Sequence, residues 1–323
     1  MLNLIIKPIA KELKVFDSKY KDSLSSDVKL LMLISDYILK NPGKKIRPIL
    51  LLLVSKMIGE INNKTYSSCI LIELLHTATL IHDDVVDDAH FRRGKFSVSS
   101  LWKNKIAVLV GDYLLSRGLS LGLQDNDINI LKYTSKAVEN ISEGEIYQMQ
   151  KSRDLDLNEG EYFEIIKSKT GSLFGCCFQL AAVSNNLTEK SELQKLYGIG
   201  EKIGIIFQIK DDILDYNESN FTGKLMGNDL KESKINLPLL HTLKKVSLFE
   251  NQQILKILNK KKVSDDEILF IRKLVYKNDG IEFSKNKIDI LVDELINDLE
   301  IFSDSKYKKS LIDLINYIKI RNK

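Results

Sequence analysis

A chain of 323 residues, 44% hydrophobic and 28% charged, has the make-up of an ordinary globular protein and is long enough to bury a sizeable core. A net charge of +4 without any basic-aromatic repeat argues against nucleic-acid binding, and Cys69, Cys176 and Cys177 make neither a disulfide framework nor a metal set, as expected for thiols packed in a reducing cytosol. Lysines and Pro8 interrupt the apolar residues of Met1 to Val15, which argues against a signal peptide, and the densest apolar run, Ile49 to Val54, is too short to span a bilayer; a soluble, cytoplasmic protein without a transmembrane segment is expected.

Prolines occur only at 8, 42, 48 and 238, and apolar residues recur at i, i+3, i+4 and i+7 nearly throughout, while strand-like alternation is hard to find. The spacing predicts an all-α protein. Helices are expected over 3–20, 27–40, 47–58, 66–88, 105–123, 127–151, 159–169, 171–184 and 190–216, then over 236–246, 250–259, 264–276, 283–302 and 306–321. Asn41-Pro42-Gly43 breaks the second from the third. No composition shift or low-complexity linker marks a boundary, so one domain over 1–323 is the economical reading.

Directly after that break comes Gly43-Lys44-Lys45-Ile46-Arg47-Pro48, where Lys44 and Arg47 meet a helix start whose free N–H groups also favour an anion. The 66–88 helix carries His76 and closes on His82-Asp83-Asp84-Val85-Val86-Asp87-Asp88. Asp83 and Asp87, spaced i, i+4, share a face, with Asp84 and Asp88 rotated off it. Such a pair suits Mg²⁺, which binds few carboxylates and completes its shell with substrate phosphates. Taken singly, these features also read as a solvated basic loop, a core histidine and a solvated acidic helix end. Arg92-Arg93-Gly94 follows with two guanidiniums suited to bidentate phosphate contact. Further on, Lys169-Thr170-Gly171 places a lysine and a hydroxyl at a helix break. Then Phe207-Gln208-Ile209-Lys210-Asp211-Asp212-Ile213-Leu214-Asp215 repeats an apolar helix ending in DDxxD, with Asp211 and Asp215 paired and Asp212 turned away. Gly223-Lys224 and Gly227 to Lys234 add cations in a loop.

One DDxxD is weak evidence, but two at the ends of apolar helices are strong. Two carboxylate pairs facing one another could hold several Mg²⁺ ions, lysines and arginines around them call for a polyphosphate, and long apolar helices suit a hydrocarbon tail. A diphosphate on an apolar tail is an isoprenoid substrate. With GKKIRP, HDDVVDDAHFRRG, KTG, FQIKDDILD and the GK and GNDL pieces in order from Asn41 to Pro238, the chain resembles the trans-type polyprenyl diphosphate synthases of the isoprenyl diphosphate synthase family, octaprenyl-type members above all.

The resemblance implies a single all-α domain of antiparallel helices around a deep central cavity, the isoprenoid synthase fold, and a homodimer. It implies Mg²⁺-dependent head-to-tail condensation of isopentenyl diphosphate onto an allylic diphosphate such as farnesyl diphosphate. Asp83, Asp87 and Asp211 would ligate Mg²⁺, with Asp84, Asp212 and Asp215 completing the catalytic motifs. Arg92, Lys169 and Lys224 would hold the allylic diphosphate, Thr170 and Gln208 would support the cation's surroundings, and Lys44, Arg47, His76 and Arg93 would hold isopentenyl diphosphate without metal. Ser233 and Asn236 stand where the family often has glycine and threonine, which bears on how the loop closes. Short-chain members tend to place aromatic plugs one turn before the first aspartate. Here Ala78 and Thr79 are small, so the tail is expected to run past Leu75, Leu74 and Leu71, with Leu115 and Leu119 as the far wall. A long product of six to ten units, near eight, serving a quinone side chain is therefore expected, with peripheral membrane contact as a route for its release. The competing readings are a short-chain (farnesyl or geranylgeranyl) synthase, a non-catalytic subunit of a heteromeric synthase, a class I terpene cyclase, and an HD-type phosphohydrolase, which would need histidine clusters this chain lacks.

Overall fold

The computed structural model describes residues 2–92, 94–124, 128–217, 227–260 and 262–322. Two compact units emerge: residues 1–138 with 174–198 and 302–313, and residues 139–173 with 199–301 and 314–323.

In the first unit the central hairpin pairs Asn63–Val86 with Val98–Gln124. The former starts on a capping box in which the Asn62 side chain accepts from the Thr65 N–H and the Thr65 hydroxyl faces the Asn62 N–H, so two otherwise orphaned donors are satisfied. Close approach of the pair depends on Gly111 and Gly118, where an added Cβ would lie 2.0 Å from His82 Nε2 and 2.9 Å from Leu71 Cδ1. Ile46–Ile58 packs on the same helix and buries Leu50 to Val54 completely, each large side chain contributing about 1.5–3 kcal/mol by leaving water. Lys29–Lys40 precedes it, and Lys45 makes the turn between them in a left-handed conformation, φ 52°.

Three expectations change here. The first-motif helix stops at Val86, not 88: Asp87 caps it with its N–H on the Asp83 carbonyl, and Asp88 turns left-handed at φ 47°. Carboxylates are disfavoured at the negative end of a helix dipole, and aspartate tolerates the left-handed region better than most residues. Second, a two-residue antiparallel ladder, Phe91–Arg92 with Lys95–Phe96, follows the motif, turned by Gly94 at φ 75°. Third, Val98–Leu123 is long and apolar enough to cross a membrane by length and composition, which the reading of apolar runs overlooked. Ala107, Val110 and Leu114 on that helix are buried, whereas Leu109 and Leu123 are both 63% exposed. The helix also contains Lys103 at φ 70°, ψ 157°, which explains why the periodicity starts at 105.

In the second unit Glu159–Ile166 opens on an Asn158–Glu161 capping box and runs into a π-helical turn over Lys167–Gly171. The expected break at Lys169-Thr170-Gly171 is thus a widened turn. Gly204 allows it: an added Cβ there would lie 2.7 Å from the Gly171 Cα. The helix ending in the second motif, Lys190–Asp215, is followed by Leu237–Leu243, which packs on Gly280–Asp298. Leu248–Leu258 and Asp265–Lys277 lie between these two in sequence, and the second half of Lys306–Ile320 also belongs to this unit.

Candidate active site

In the first unit Asp83 and Asp87 lie half-buried at the end of their helix, one turn apart. Asp84 faces inward, 3% exposed, and accepts from Arg92 Nε at 2.7 Å. Burial raises the Asp84 pKa, and the guanidinium beside it pulls the other way. The ladder that carries Arg92 is fastened by the Tyr37 hydroxyl, which donates to the Phe96 carbonyl at 2.6 Å. Lys44 is exposed, while Arg47 is half-buried with its guanidinium 4.8 Å from the centre of the Phe174 ring. His76 is half-buried on the first-motif helix. Arg93 and Lys224 lie outside the described residues. Ala78, Leu75, Leu74 and Leu71 are buried; Thr79 and Leu115 are half-buried, and Leu119 is 43% exposed.

In the second unit the π-helical turn presents Lys169 and Thr170. Lys169 Nζ donates to Gln148 Oε1 at 2.8 Å and pairs with Glu145 at 2.6 Å. The Thr170 hydroxyl donates to Gln208 Oε1 at 2.8 Å, and Gln208 Nε2 donates to Asp212 Oδ1 at 2.9 Å. Asp212 is buried and also accepts from the Tyr162 hydroxyl at 2.6 Å. Burial first, then the charge of Asp229, pushes its pKa up to about 7. Asp215 Oδ2 accepts from the Asp229 N–H at 3.0 Å. Asn236 links that segment to the motif helix: it donates to Asp229 at 2.9 Å and accepts from the Tyr216 hydroxyl at 2.7 Å. Ser233 adopts the left-handed φ of 57° for which glycine is usual, with its hydroxyl tied to the Leu258 carbonyl at 2.6 Å. Asp211 is half-buried and held by Arg321. These elements surround a small cleft, partly open to solvent, lined by Lys151, Lys169 and Lys234 together with Gln148, Gln208 and Asp212.

Lys151 pairs with Glu161 and Lys234 with Glu232, as Lys169 does with Glu145, so the three lysines of the cleft are held in place by carboxylates that an incoming anion would share. Among the described residues no group of three or more acids, histidines or cysteines forms a ready cage for a metal. A hard divalent ion of Mg²⁺ type needs no such cage, because it takes one or two carboxylates and fills its shell with water and phosphate oxygens. The half-buried Asp83–Asp87 pair and Asp211 are of the right chemistry for that mode, whereas Asp84 and Asp212 are engaged as buried supports. Reading the sequence missed Glu145, Gln148, Tyr162 and Arg321. The first two left a trace, an acid and an amide i, i+3 apart on a helix, but Tyr162 and Arg321 left none.

The sequence profile of the polyprenyl synthetase family matches residues 28–275. Octaprenyl diphosphate synthase of Haemophilus influenzae is 33% identical over 294 residues, covering 90% of this chain and 88% of that protein. All-trans-nonaprenyl-diphosphate synthase (geranyl-diphosphate specific) of Rhodobacter capsulatus is 33% identical over 313 residues, 96% of this chain and 95% of its own. Among solved structures, polyprenyl synthase from Caulobacter crescentus, complexed with calcium and isoprenyl diphosphate, superposes with a TM-score of 0.94 at 27% identity, over 100% of this chain and 98% of that one.

Proposed function

The chain belongs to the polyprenyl synthetase family and is a prenyltransferase; from that premise we propose that it is a long-chain all-trans polyprenyl diphosphate synthase acting on isopentenyl diphosphate and an allylic diphosphate such as farnesyl diphosphate. The observation that carries the reading is the pair of intact aspartate motifs, each ending an apolar helix with half-buried carboxylates; the unit that holds the second motif also has a cleft lined by lysines. The octaprenyl and nonaprenyl relatives support the long product, as do the small residues Ala78 and Thr79 ahead of Asp83. The Caulobacter complex supports a divalent metal and an isoprenyl diphosphate ligand, and the carboxylate chemistry favours Mg²⁺.

Asp83, Asp87 and Asp211 would hold Mg²⁺, which would supply charge neutralisation for the departing diphosphate. Lys169, Arg92 and Lys224 add cationic contacts to that group. Lys169 is already oriented by Gln148 and Glu145, and Arg92 by Asp84, so neither must be ordered when substrate arrives. Thr170 and Gln208 form a hydrogen-bonded chain that ends on the buried Asp212, which fixes their dipoles for stabilising the allylic cation. Lys44, Arg47, His76 and Arg93 would bind isopentenyl diphosphate without metal, keeping its C–O bond intact. Its double bond attacks the allylic cation left when the C–O bond to diphosphate breaks, and the released diphosphate accepts the proton lost on forming the new double bond. No side-chain base is required.

The same reading takes residues 1–323 as one functional domain, the location as cytoplasmic and the product as a quinone side-chain precursor. It takes the assembly as a homodimer, supported by the exposed Leu109 and Leu123 on the Val98–Gln124 helix. Purified protein incubated with farnesyl diphosphate, radiolabelled isopentenyl diphosphate and Mg²⁺, followed by chromatography of the dephosphorylated products, tests the activity. Chains near eight units are expected, with turnover nearly abolished by Asp83→Ala or Asp211→Ala while helical circular dichroism persists. Products of farnesyl or geranylgeranyl length would overturn the long-chain reading, and full activity of Asp83→Ala would overturn the metal assignment.

A further inference from the structure

Each carboxylate of the second motif has its own fixed partner, and the partner of Asp211 comes from the end of the chain. Arg321 follows directly on Lys306–Ile320, and its N–H bonds to the Tyr317 carbonyl at 3.0 Å, continuing the helical ladder. The residue is 8% exposed. Its Nη2 donates to Asp211 Oδ1 at 2.7 Å and to the Phe207 carbonyl at 3.1 Å, while the guanidinium lies 4.0 Å from the centre of the Phe207 ring. Two hydrogen bonds define the direction of the fork, and the ring limits where its plane can go.

Such an arrangement is a poor device for stability alone. Burying a guanidinium carries a desolvation cost of several kcal/mol, and an apolar side chain of similar shape against Phe207 would often serve as well or better. What an apolar residue could not do is choose the orientation of a carboxylate. The terminal torsion of aspartate is broad and two-fold, so an unrestrained Asp211 would sample many directions. The guanidinium holds one oxygen while 43% of the side chain stays exposed, so the group is oriented and still accessible. Asp212, by contrast, is buried and Asp215 accepts from the Asp229 N–H, which leaves Asp211 as the carboxylate of this motif that is both oriented by an arginine and half open.

We propose that Arg321 is a positioning residue that sets the Asp211 carboxylate in the orientation that receives the divalent metal. The inference rests on the reading of Asp211 as a metal ligand. Partners that orient a ligating carboxylate typically matter 10- to 100-fold for metal affinity, so a change of roughly that size is expected when Arg321 is lost.

The test measures Mn²⁺ binding by electron paramagnetic resonance, in the presence of inorganic pyrophosphate, for the full-length wild type, Arg321→Met, Arg321→Lys, Asp211→Asn and the Asp211→Asn/Arg321→Met double variant, each with its melting temperature. Arg321→Met should bind Mn²⁺ roughly tenfold or more weakly, Arg321→Lys should fall between it and wild type, and the double variant should bind no worse than Asp211→Asn alone. If Arg321→Met does not fold, Arg321→Lys carries the comparison. Unchanged Mn²⁺ affinity with only a lowered melting temperature would show Arg321 to be a structural closure of the C-terminal helix and overturn the proposal. Tighter binding would overturn it too, by showing that the guanidinium competes with the metal. Should Asp211→Asn itself leave Mn²⁺ binding intact, the metal reading of Asp211 fails and this proposal with it; an effect of Asp211→Asn without one of Arg321→Met fails the proposal alone.

Discussion

Ala78→Tyr is the sharpest perturbation of product length. Ala78 is fully buried on the Asn63–Val86 helix, five residues (83 − 78) before Asp83, or about 7.5 Å along the axis. A helical side chain covers the turn N-terminal to its own Cα, so a tyrosine there would close the path near Leu74, nine residues (83 − 74) or about 13.5 Å from Asp83. Allowing about 5.4 Å for each extended prenyl unit, that depth admits roughly two to three units, and the unit bearing the diphosphate brings the product to about three or four. The unobstructed helix offers twenty residues (83 − 63) between Asp83 and Asn63, about 30 Å, enough for between five and six extended units. The remainder of an eight-unit chain must fold back or pass beyond the helix's far end. Because Ala78 is shielded from solvent, any part of the added ring that overfills its packed surroundings should also lower stability by about 1–3 kcal/mol, so a thermal melt accompanies the assay. Chromatography of the dephosphorylated products, at substrate concentrations saturating both enzymes, reads the shift. A long product unchanged by Ala78→Tyr in a folded enzyme would refute the ruler.

Other outcomes follow from single contacts. Arg47→Ala should raise the KM for isopentenyl diphosphate by roughly one to two decades, the loss of one charge-assisted contact, with much less effect on the allylic substrate; steady-state titration of each substrate decides it, and equal effects would refute the site assignment. Lys103→Gly should stabilise the protein by up to about 2.5 kcal/mol, since a non-glycine residue at φ 70°, ψ 157° costs roughly 1–3 kcal/mol and glycine gives back about 0.5–1 through its freer unfolded chain. A lowered denaturation midpoint would contradict that strain. Asp212, with its pKa pushed up to about 7 from 3.8, holds a proton in the folded state that the unfolded chain releases, so stability falls as pH rises across that window. Asp212→Asn should flatten the fall between about pH 4 and 7 in urea titrations, and an unchanged slope would assign the pH dependence elsewhere.

Much of this molecule is local chemistry, and local chemistry is legible in order. The helix starts follow from caps such as Asn62–Thr65 and Asn158–Glu161, and the long apolar repeats are helical because a helix closes its hydrogen bonds within four residues. The pairing of Asp83 with Asp87 needs nothing but spacing, and the family follows from motifs that stand in sequence. Where the sequence reading missed, a neighbour far away in the chain had intervened. Nothing near Asp212 says that it will be buried beside Asp229, with its pKa raised by both and only partly offset by the hydrogen bonds from Tyr162 and Gln208, because its environment is assembled from separate helices. The widened turn at Lys169 depends on Gly204 approaching Gly171, and spacing alone reads it as a break. Arg321 meets Asp211 across 110 residues, a contact with no periodic signature that only the placing of the C-terminal helix could create. The sequence by itself determined which groups are present and which share a helical face. The tertiary structure decided which carboxylates are buried supports and which stay open, because desolvation and long-range hydrogen bonds depend on packing that spacing does not encode.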